Sequence, residues 1–213
     1  MSGAPEVYGE KGALGVVVFH DLHGRDDHVA AVAEALAAAG FPAATVDLFD
    51  GRVPASLDEG RAIRASVTPE TVLRKAVEAR TAVQRRLVPH APIGTLGFCV
   101  GGGYALLAAA RGRFAFAIDF YGRVDPAAEI RGLEGPLLLV LGAEDGQVTP
   151  WAFSELLPAA RSERTRVSVE LYPGVGHGFH RPGGEGHDPA AAAHAWQRTL
   201  AFLVAAASSR SVK

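Results

Sequence analysis

The sequence predicts an α/β protein with a mostly parallel, doubly wound sheet and helices on both faces. Six short apolar runs alternate with stretches of helical character. Most of these runs are continuous, as expected for parallel strands that are covered on both sides. Strands that alternate with helices along a chain favour βαβ units in one sheet. A chain of 213 residues can bury a substantial core, so we expect residues 1–213 to form a single domain.

The predicted strands are aliphatic or β-branched, and each ends at polar or glycine-rich residues. They cover residues 14–19, 43–46, 94–98, 114–120, 136–141 and 166–171. Helices are predicted between them at 27–39, 56–64, 69–87, 100–110, 150–161 and 189–207. Thr68-Pro69 is a strong helix start, because proline at the first helical position follows an N-cap residue. We expect the polar ends, residues 1–11 and 208–213, to be frayed.

Composition excludes several classes of partner and site. The net charge of −2 favours neither nucleic acid nor an anionic membrane surface. The only cysteine, Cys99, rules out an internal disulfide and a multi-cysteine metal site. No apolar stretch approaches the ~20 residues of a membrane span, and the N-terminus lacks the apolar core of a signal peptide. We therefore expect a cytoplasmic protein that acts on a small molecule, as a monomer or a homodimer.

Cys99 lies at the apex of a predicted strand–turn–helix. The segment Gly97-Phe98-Cys99-Val100-Gly101 has the G-x-C-x-G pattern of a nucleophile elbow, with sulfur where serine is more usual. The turn is so sharp that the flanking residues must lack a Cβ atom. A free cysteine can also be an inert core residue, but the glycines favour a nucleophile.

Acid and base partners for Cys99 are expected at the carboxyl ends of other strands, where parallel sheets bind ligands. Glu144 and Asp145 follow the fifth predicted strand, and His177 and His180 follow the sixth. The order Cys, Asp, His is that of the α/β-hydrolase fold. We predict His177 as the base, because its glycine neighbours let the loop fold closely. Asp145 is preferred as the acid, because it is shorter and stiffer than Glu144.

These residue types suit nucleophilic catalysis on a carbonyl group. A free thiol is mostly protonated at neutral pH, so an imidazole must take its proton and later deliver it to a leaving group. A carboxylate fixes the tautomer of that imidazole. The N–H groups of Val100, at a helix N-terminus, and of Leu22, after the first strand, are predicted to form an oxyanion hole.

Several segments resemble the dienelactone hydrolase family in order and spacing. They are Gly97-Phe98-Cys99-Val100-Gly101-Gly102-Gly103, Phe120-Tyr121-Gly122, Gly142-Ala143-Glu144-Asp145 and Tyr172-Pro173-Gly174-Val175-Gly176-His177-Gly178-Phe179. The resemblance spans about residues 14–205. It implies an α/β-hydrolase fold without a cap domain, a Cys99–His177–Asp145 triad, no cofactor, and carboxymethylenebutenolidase-like hydrolysis of small esters or lactones.

The resemblance also implies roles for residues around the triad. Asp21 matches a family glutamate that interacts with the resting thiol, so we expect it to modulate the ionisation of Cys99. Arg181 matches one of two arginines that hold a substrate carboxylate, and Arg61 and Arg64 are candidates for the second. Tyr121 is predicted as a further substrate contact.

Other functions use the same residues differently. A cysteine peptidase or amidase would need an extended groove, for which the sequence has no signal. A thiol redox sensor on Cys99 would need a resolving cysteine from another molecule. A metal enzyme could use His20-x-x-His23 and His177-x-x-His180, but no predicted helix fixes either pair in a ligand geometry. A binding homologue without activity is disfavoured by the intact Cys-Asp-His set.

Overall fold

The structure is a computed structural model that describes residues 3–123, 130–148, 158 and 165–208. In chain order its elements are β1 (Glu6–Tyr8), β2 (Gly15–Phe19), α1 (Asp27–Ala38), β3 (Ala43–Val46), α2 (Leu57–Arg64), α3 (Pro69–Gln84), β4 (Ile93–Phe98), α4 (Val100–Gly112), β5 (Ala117–Phe120), β6 (Gly135–Gly142), β7 (Thr165–Tyr172) and α5 (Pro189–Ser208). The strands form one seven-stranded sheet in the order β1-β3-β2-β4-β5-β6-β7. All neighbouring pairs are parallel except β1 and β3. The predicted mostly parallel α/β architecture is therefore confirmed.

The six predicted strands are all present, and their bounds differ mainly at one position. The strand predicted from residue 114 begins only at Ala117. The residues of β2 and β4 are all buried, in agreement with their continuous apolar sequences. Apart from residue 158, the helix predicted at 150–161 lies outside the described residues, and so does the tail beyond residue 208.

The expectation that residues 1–11 are frayed is wrong for β1. This strand pairs antiparallel with β3 and places Glu6 opposite Thr45. Three residues are too short for a periodic pattern, so β1 gives little signal in the sequence. Its stability comes from pairing with a buried strand rather than from local preference.

Four helices begin at a polar side chain that accepts a hydrogen bond from the helix backbone. The side chain of Asp26 accepts a hydrogen bond from the N–H of Val29 at the start of α1. Ser56 caps α2 and Thr68 caps α3 in the same way. At the start of α5, Asp188 accepts from the N–H of Ala191 at 2.9 Å.

Helices cover both faces of the sheet and divide the core into two clusters. Val17 and Phe19 of β2 point into the cluster that includes residues of α3 and α4. Val16 and Val18 point into the cluster that includes residues of α1 and α5. This sandwiching leaves the carboxyl ends of β2, β4, β6 and β7 at one edge, where the predicted site residues follow.

Candidate active site

The nucleophile elbow depends on close backbone contacts that only glycine permits. A Cβ atom on Gly97 would lie 2.0 Å from the carbonyl oxygen of Gly101. A Cβ atom on Gly101 would lie 2.3 Å from the carbonyl oxygen of His20, at the end of β2. Both distances are far below van der Waals contact, so the glycines let α4 start directly against β4 and β2.

Cys99 itself has a strained backbone at this turn. Its φ is 53° and its ψ is −124°, a conformation that residues with a Cβ atom rarely adopt. The residue precedes the first turn of α4, and its carbonyl oxygen accepts a hydrogen bond from the N–H of Gly102 at 2.9 Å. The strain presents the Cys99 side chain at the end of the sheet, where the loops after β6 and β7 meet it.

Cys99, His177 and Asp145 form a continuous chain of hydrogen bonds. The Sγ of Cys99 lies 3.1 Å from Nε2 of His177. The Nδ1 of His177 lies 2.8 Å from Oδ2 of Asp145. These three residues come from the ends of β4, β7 and β6, as the sequence predicted. The arrangement can move a proton from the thiol to the ring while the carboxylate holds the ring in place.

Asp145 is held rigidly by its own loop. Its Oδ1 accepts hydrogen bonds from the N–H of Gln147 at 2.7 Å and of Val148 at 2.9 Å. This leaves Oδ2 directed at His177. Although burial alone would raise the pKa of Asp145, the bonds from His177 and from these amides lower it below its usual value. The group is therefore a carboxylate that accepts a hydrogen bond from the imidazole.

The same contacts favour the charged form of His177. Burial alone would lower the pKa of the ring, but the hydrogen bond to Asp145, followed by that to Cys99, raises it to about 10. A raised pKa means that His177 accepts a proton readily and stabilises negative charge on the adjacent sulfur.

The two residues whose N–H groups are predicted to form the oxyanion hole belong to the same pocket as the nucleophile. Leu22 and Val100 both line the pocket that contains Cys99 and His177. No described residue accepts a hydrogen bond from either N–H. The carbonyl of Leu22 is packed against α2, because a Cβ atom on Gly60 would lie 2.1 Å from its oxygen. The geometry is compatible with the predicted oxyanion hole.

The pocket above Cys99 is lined by arginines that the sequence only partly indicated. Its volume is about 390 Å³. Arg61 and Arg64, from α2, and Arg123, after β5, all line it with exposed side chains. Arg61 also pairs with Asp58 at 2.6 Å. Arg61 and Arg64 were candidates from the sequence, whereas Arg123 was not singled out.

Arg181 lies elsewhere, in an ion pair, and does not line this pocket. Its Nε is 2.9 Å from Oδ2 of Asp21, and its Nη1 is 2.8 Å from Oδ2 of Asp26. The predicted contact with a substrate carboxylate is thus replaced in this structure by two protein carboxylates. The physical reason is that Asp21 and Asp26 lie at the same edge of the sheet as the loop of His177, where their carboxylates bind the guanidinium.

Asp21 likewise contacts Arg181 and His23 rather than the thiol. Its Oδ1 accepts from the N–H of His23 at 2.8 Å and lies 3.0 Å from the ring Nδ1 of the same residue. Burial raises the pKa of Asp21, but the hydrogen bonds from His23 and the charge of Arg181 outweigh it and hold the pKa well below its usual value. The structure therefore shows no contact between Asp21 and the Cys99 thiol that would support the predicted effect on its ionisation.

His180 is a half-buried residue that packs among aromatic rings. Its Nδ1 lies 3.2 Å from Nε2 of His28, and its ring packs against Phe98 and Phe120. Burial, followed by the neighbouring His28, lowers the pKa of His180 to about 3. The choice of His177 over its neighbour therefore agrees with the geometry.

Tyr121 is where the sequence placed it, on the wall of the pocket. The residue is buried, has a φ of 44°, and its ring centroid lies 5.0 Å from that of His177. Sequence reasoning passed over Gln147 and Val148, which also line the pocket. It also passed over the fully buried Asp119, which lies two residues before Tyr121.

The part of the chain that the structure describes lacks the features of a metal site and of a membrane span. They contain no cluster of three or more His, Cys, Asp or Glu side chains that could hold a metal ion. Within the same ranges, no helix combines the length and apolar character needed to cross a membrane.

Comparison with known proteins gives a consistent result. The family model described as the dienelactone hydrolase family matches residues 5–207. A Bradyrhizobium protein named "Probable 2-oxo-3-(5-oxofuran-2-ylidene)propanoate lactonase" is 34% identical over 209 residues, which cover 88% of this chain and 82% of that protein. Carboxymethylenebutenolidase 1 of Cupriavidus pinatubonensis is 26% identical, with coverage of 88% and 84%. A dienelactone hydrolase-like promiscuous phosphotriesterase from metagenomic libraries has a TM-score of 0.79 at 24% identity, with coverage of 94% and 91%.

Proposed function

Because this chain belongs to the dienelactone hydrolase family and is a lactone or ester hydrolase of that type, we propose that it works through a covalent acyl intermediate on Cys99. The observation that supports this most directly is the hydrogen-bonded chain from the Cys99 sulfur through His177 to Asp145. Cys99 and His177 line a pocket that is large enough for a small lactone.

The proposed reaction has two halves. In the first, His177 takes the thiol proton, the sulfur of Cys99 attacks the carbonyl carbon, and the ring C–O bond of the lactone breaks. His177 gives its proton to the departing oxygen, which leaves a thioester on Cys99. In the second half, His177 takes a proton from water, and the hydroxide attacks the thioester. The acid is released and the proton returns to the sulfur.

Backbone N–H groups are proposed to stabilise the negative charge that develops during the reaction. Each attack places negative charge on the carbonyl oxygen, and the N–H groups of Val100 and Leu22 are proposed to donate to it. Preorganised donors of this kind are worth about 3–4 kcal/mol each in the transition state. Val100 contributes additionally because it begins α4, whose dipole favours an anion at that end.

We further propose that the substrate carries an acidic group. The support is the guanidinium cluster of Arg61, Arg64 and Arg123 around the pocket. Guanidinium groups suit planar carboxylates through paired hydrogen bonds. The Bradyrhizobium relative is named for a propanoate lactone, a substrate that has both a lactone ring and a carboxylate. Tyr121, which lines the same pocket, is proposed to pack against the ring of the substrate.

The test is to follow opening of a carboxylate-bearing γ-lactone and of neutral p-nitrophenyl acetate by the purified protein. We expect turnover that is lost in Cys99→Ala and after alkylation with iodoacetamide, and is unaffected by EDTA. Acid quenching during turnover should trap an acyl group on the peptide that contains Cys99. Unchanged turnover in Cys99→Ala would eliminate the proposed mechanism. Loss of turnover with EDTA alone would favour a metal enzyme instead.

A further inference from the structure

Asp119 is a fully buried carboxyl group directly beside the nucleophile elbow. It lies on β5, opposite Gly97 of β4. Its Oδ1 accepts a hydrogen bond from the N–H of Gly122 at 2.7 Å. A Cβ atom on Gly102, in the first turn of α4, would lie 2.0 Å from this same oxygen. The carboxyl group is therefore packed tightly between the elbow and the turn that follows β5.

Gly122 joins Asp119 to the nucleophile itself. A Cβ atom on Gly122 would lie 2.5 Å from the nitrogen of Gly103 and 2.7 Å from the carbonyl oxygen of Cys99. The preceding residue, Tyr121, has a positive φ and lines the pocket. The bond from Gly122 to Asp119 thus holds a strained turn against the backbone of Cys99.

The second carboxyl oxygen has no such structural use. Oδ2 of Asp119 is buried and has no hydrogen-bond partner among the described residues. An asparagine would accept the bond from Gly122 equally well without placing an ionisable oxygen in the interior, where burial of charge is unfavourable. A carboxyl group at this position therefore needs an explanation beyond the bond to Gly122.

The surroundings of Asp119 identify His177 as the group that its charge can affect. The first turn of α4 consists of Val100 and the glycines 101–103, none of which titrates, and β6 places Leu139 at the paired position. The titratable neighbours are His177, Cys99 and Tyr121. Burial raises the pKa of Asp119 to about 7, against the opposing effects of the Gly122 hydrogen bond and the charge of His177. Asp119 thus ionises close to neutrality, with an imidazole within electrostatic range.

Resting on the hydrolysis proposed for Cys99, we propose that Asp119 is a positioning residue for that reaction. Its carboxyl group fixes the turn at Gly122 against the nucleophile elbow, and its negative charge supports the imidazolium form of His177. Asp145 orients the ring through Nδ1, while Asp119 acts on the same positive charge through space. The imidazolium forms whenever the thiol gives up its proton, so Asp119 stabilises the state from which sulfur attacks.

The test uses Asp119→Asn, which keeps the acceptor for Gly122 and removes only the charge. We expect the alkaline limb of the kcat/KM profile, where His177 loses its proton, to move down by about one pH unit. Nuclear magnetic resonance titration of the His177 ring should show the same displacement without any substrate. A role confined to packing would lower activity by one factor at every pH and leave the limb in place.

Asp47→Asn is the matched control. Asp47 is also a buried carboxylate that accepts backbone bonds at the end of a strand, from the N–H groups of Phe49 and Gly51. Asp47 follows β3, which β2 separates from β4 and its nucleophile in the sheet, so the limb should stay where it is. An equal displacement in both variants would overturn the proposal.

A second variant covers the case in which Asp119→Asn fails to fold. Coupling between two ionisable groups is reciprocal, so His177→Gln should raise the pH at which Asp119 ionises. The infrared band of the buried carboxylic acid reports this midpoint directly, and an unchanged midpoint would contradict the charge role. If the ring titration moves but no lactone or ester is turned over by the unmodified protein, the coupling stands and the hydrolysis does not.

Discussion

Arg181 and Asp21 form a two-point ion pair, with Nε 2.9 Å from Oδ2 and Nη2 3.0 Å from Oδ1. Asp21 belongs to the loop after β2, which carries Leu22, and Arg181 belongs to the loop after β7, which carries His177. The pair therefore joins the loop of the proposed oxyanion donor to the loop of the proposed base. Asp26, the N-cap of α1, extends the same contact to a helix.

Replacing Arg181 by methionine should destabilise the protein strongly. Asp21 and Asp26 would remain as largely buried carboxylates without a cation, and breaking a buried pair costs about 3–5 kcal/mol. Because the pKa of Asp21 is lowered by folding, its stabilisation is present above the unfolded value near 4 and is lost as the pH falls through the folded value. The deficit of Arg181→Met, measured by thermal unfolding, should therefore be large at pH 7 and shrink below pH 4.

Arg198→Met provides the comparison for Arg181→Met. Arg198 pairs with Glu170 at 2.7 Å, but its side chain is half exposed. Exposed pairs contribute about 0–1 kcal/mol. Similar melting temperatures for the two variants at pH 7 would show that the Arg181 pair is not a structural tie.

Asp145→Asn should reduce kcat by about 10²–10⁴-fold while leaving the fold intact. The amide can still accept the bonds from Gln147 and Val148, but it no longer stabilises the charged ring of His177. Glu144→Gln changes the adjacent carboxylate and should keep kcat within about twofold. Steady-state hydrolysis of p-nitrophenyl acetate compares the two variants, and a larger loss in Glu144→Gln would reassign the acid.

Arg64→Met should weaken binding of anionic substrates selectively. We expect KM for a carboxylate-bearing lactone to rise about tenfold, the effect of losing one charge-assisted contact. KM for neutral p-nitrophenyl acetate should change little. Arg74→Met is the control. Arg74 is an exposed arginine of α3 that pairs with Glu78 and does not line the pocket, so both KM values should stay unchanged. Equal effects of Arg64→Met on both substrates would argue against an acidic group in the substrate.

Gly97→Ala should damage the elbow more than its size suggests. The added Cβ atom would lie 2.0 Å from the carbonyl oxygen of Gly101, and backbone atoms cannot move aside cheaply. Forced overpacking of this kind typically costs about 1–3 kcal/mol, and here it also displaces Cys99. Gly146→Ala is the control, because its Cβ atom meets nothing within 4 Å. Thermal unfolding with iodoacetamide labelling would detect both effects, and parity of the two variants would refute the steric explanation.

The sequence was sufficient to predict those features in which a local backbone geometry requires a particular residue type. The glycines around Cys99 predicted the elbow because a sharp turn excludes side chains. Thr68-Pro69 predicted a helix start because the threonine side chain accepts from the backbone and proline fits the first helical position. The order of Cys99, Asp145 and His177 placed the three residues together because parallel strands end at the same edge.

Contacts between residues that are distant in the chain could not be predicted from local sequence patterns. The strand at Glu6–Tyr8 exists because β3 offers it an edge, and no property of those three residues reveals that edge. Arg181 was assigned to a substrate carboxylate through the family resemblance, and the sequence alone does not show whether its guanidinium will pair with Asp21, Asp26 or a ligand. Asp119 resembled any polar residue in a strand until its burial and its unpartnered oxygen were known.

The positive φ of Cys99 has a consequence for how this position responds to loss of selection. A residue with a Cβ atom pays about 1–3 kcal/mol in such a conformation, whereas glycine adopts it freely. Of two inactive variants, Cys99→Gly should therefore unfold at a higher temperature than Cys99→Ala, and equal stability would mean that the turn carries no strain. A homologue that no longer needs catalytic activity would gain stability by replacing this cysteine with glycine. A cysteine kept at this turn therefore indicates that selection for activity outweighs the cost in folding stability.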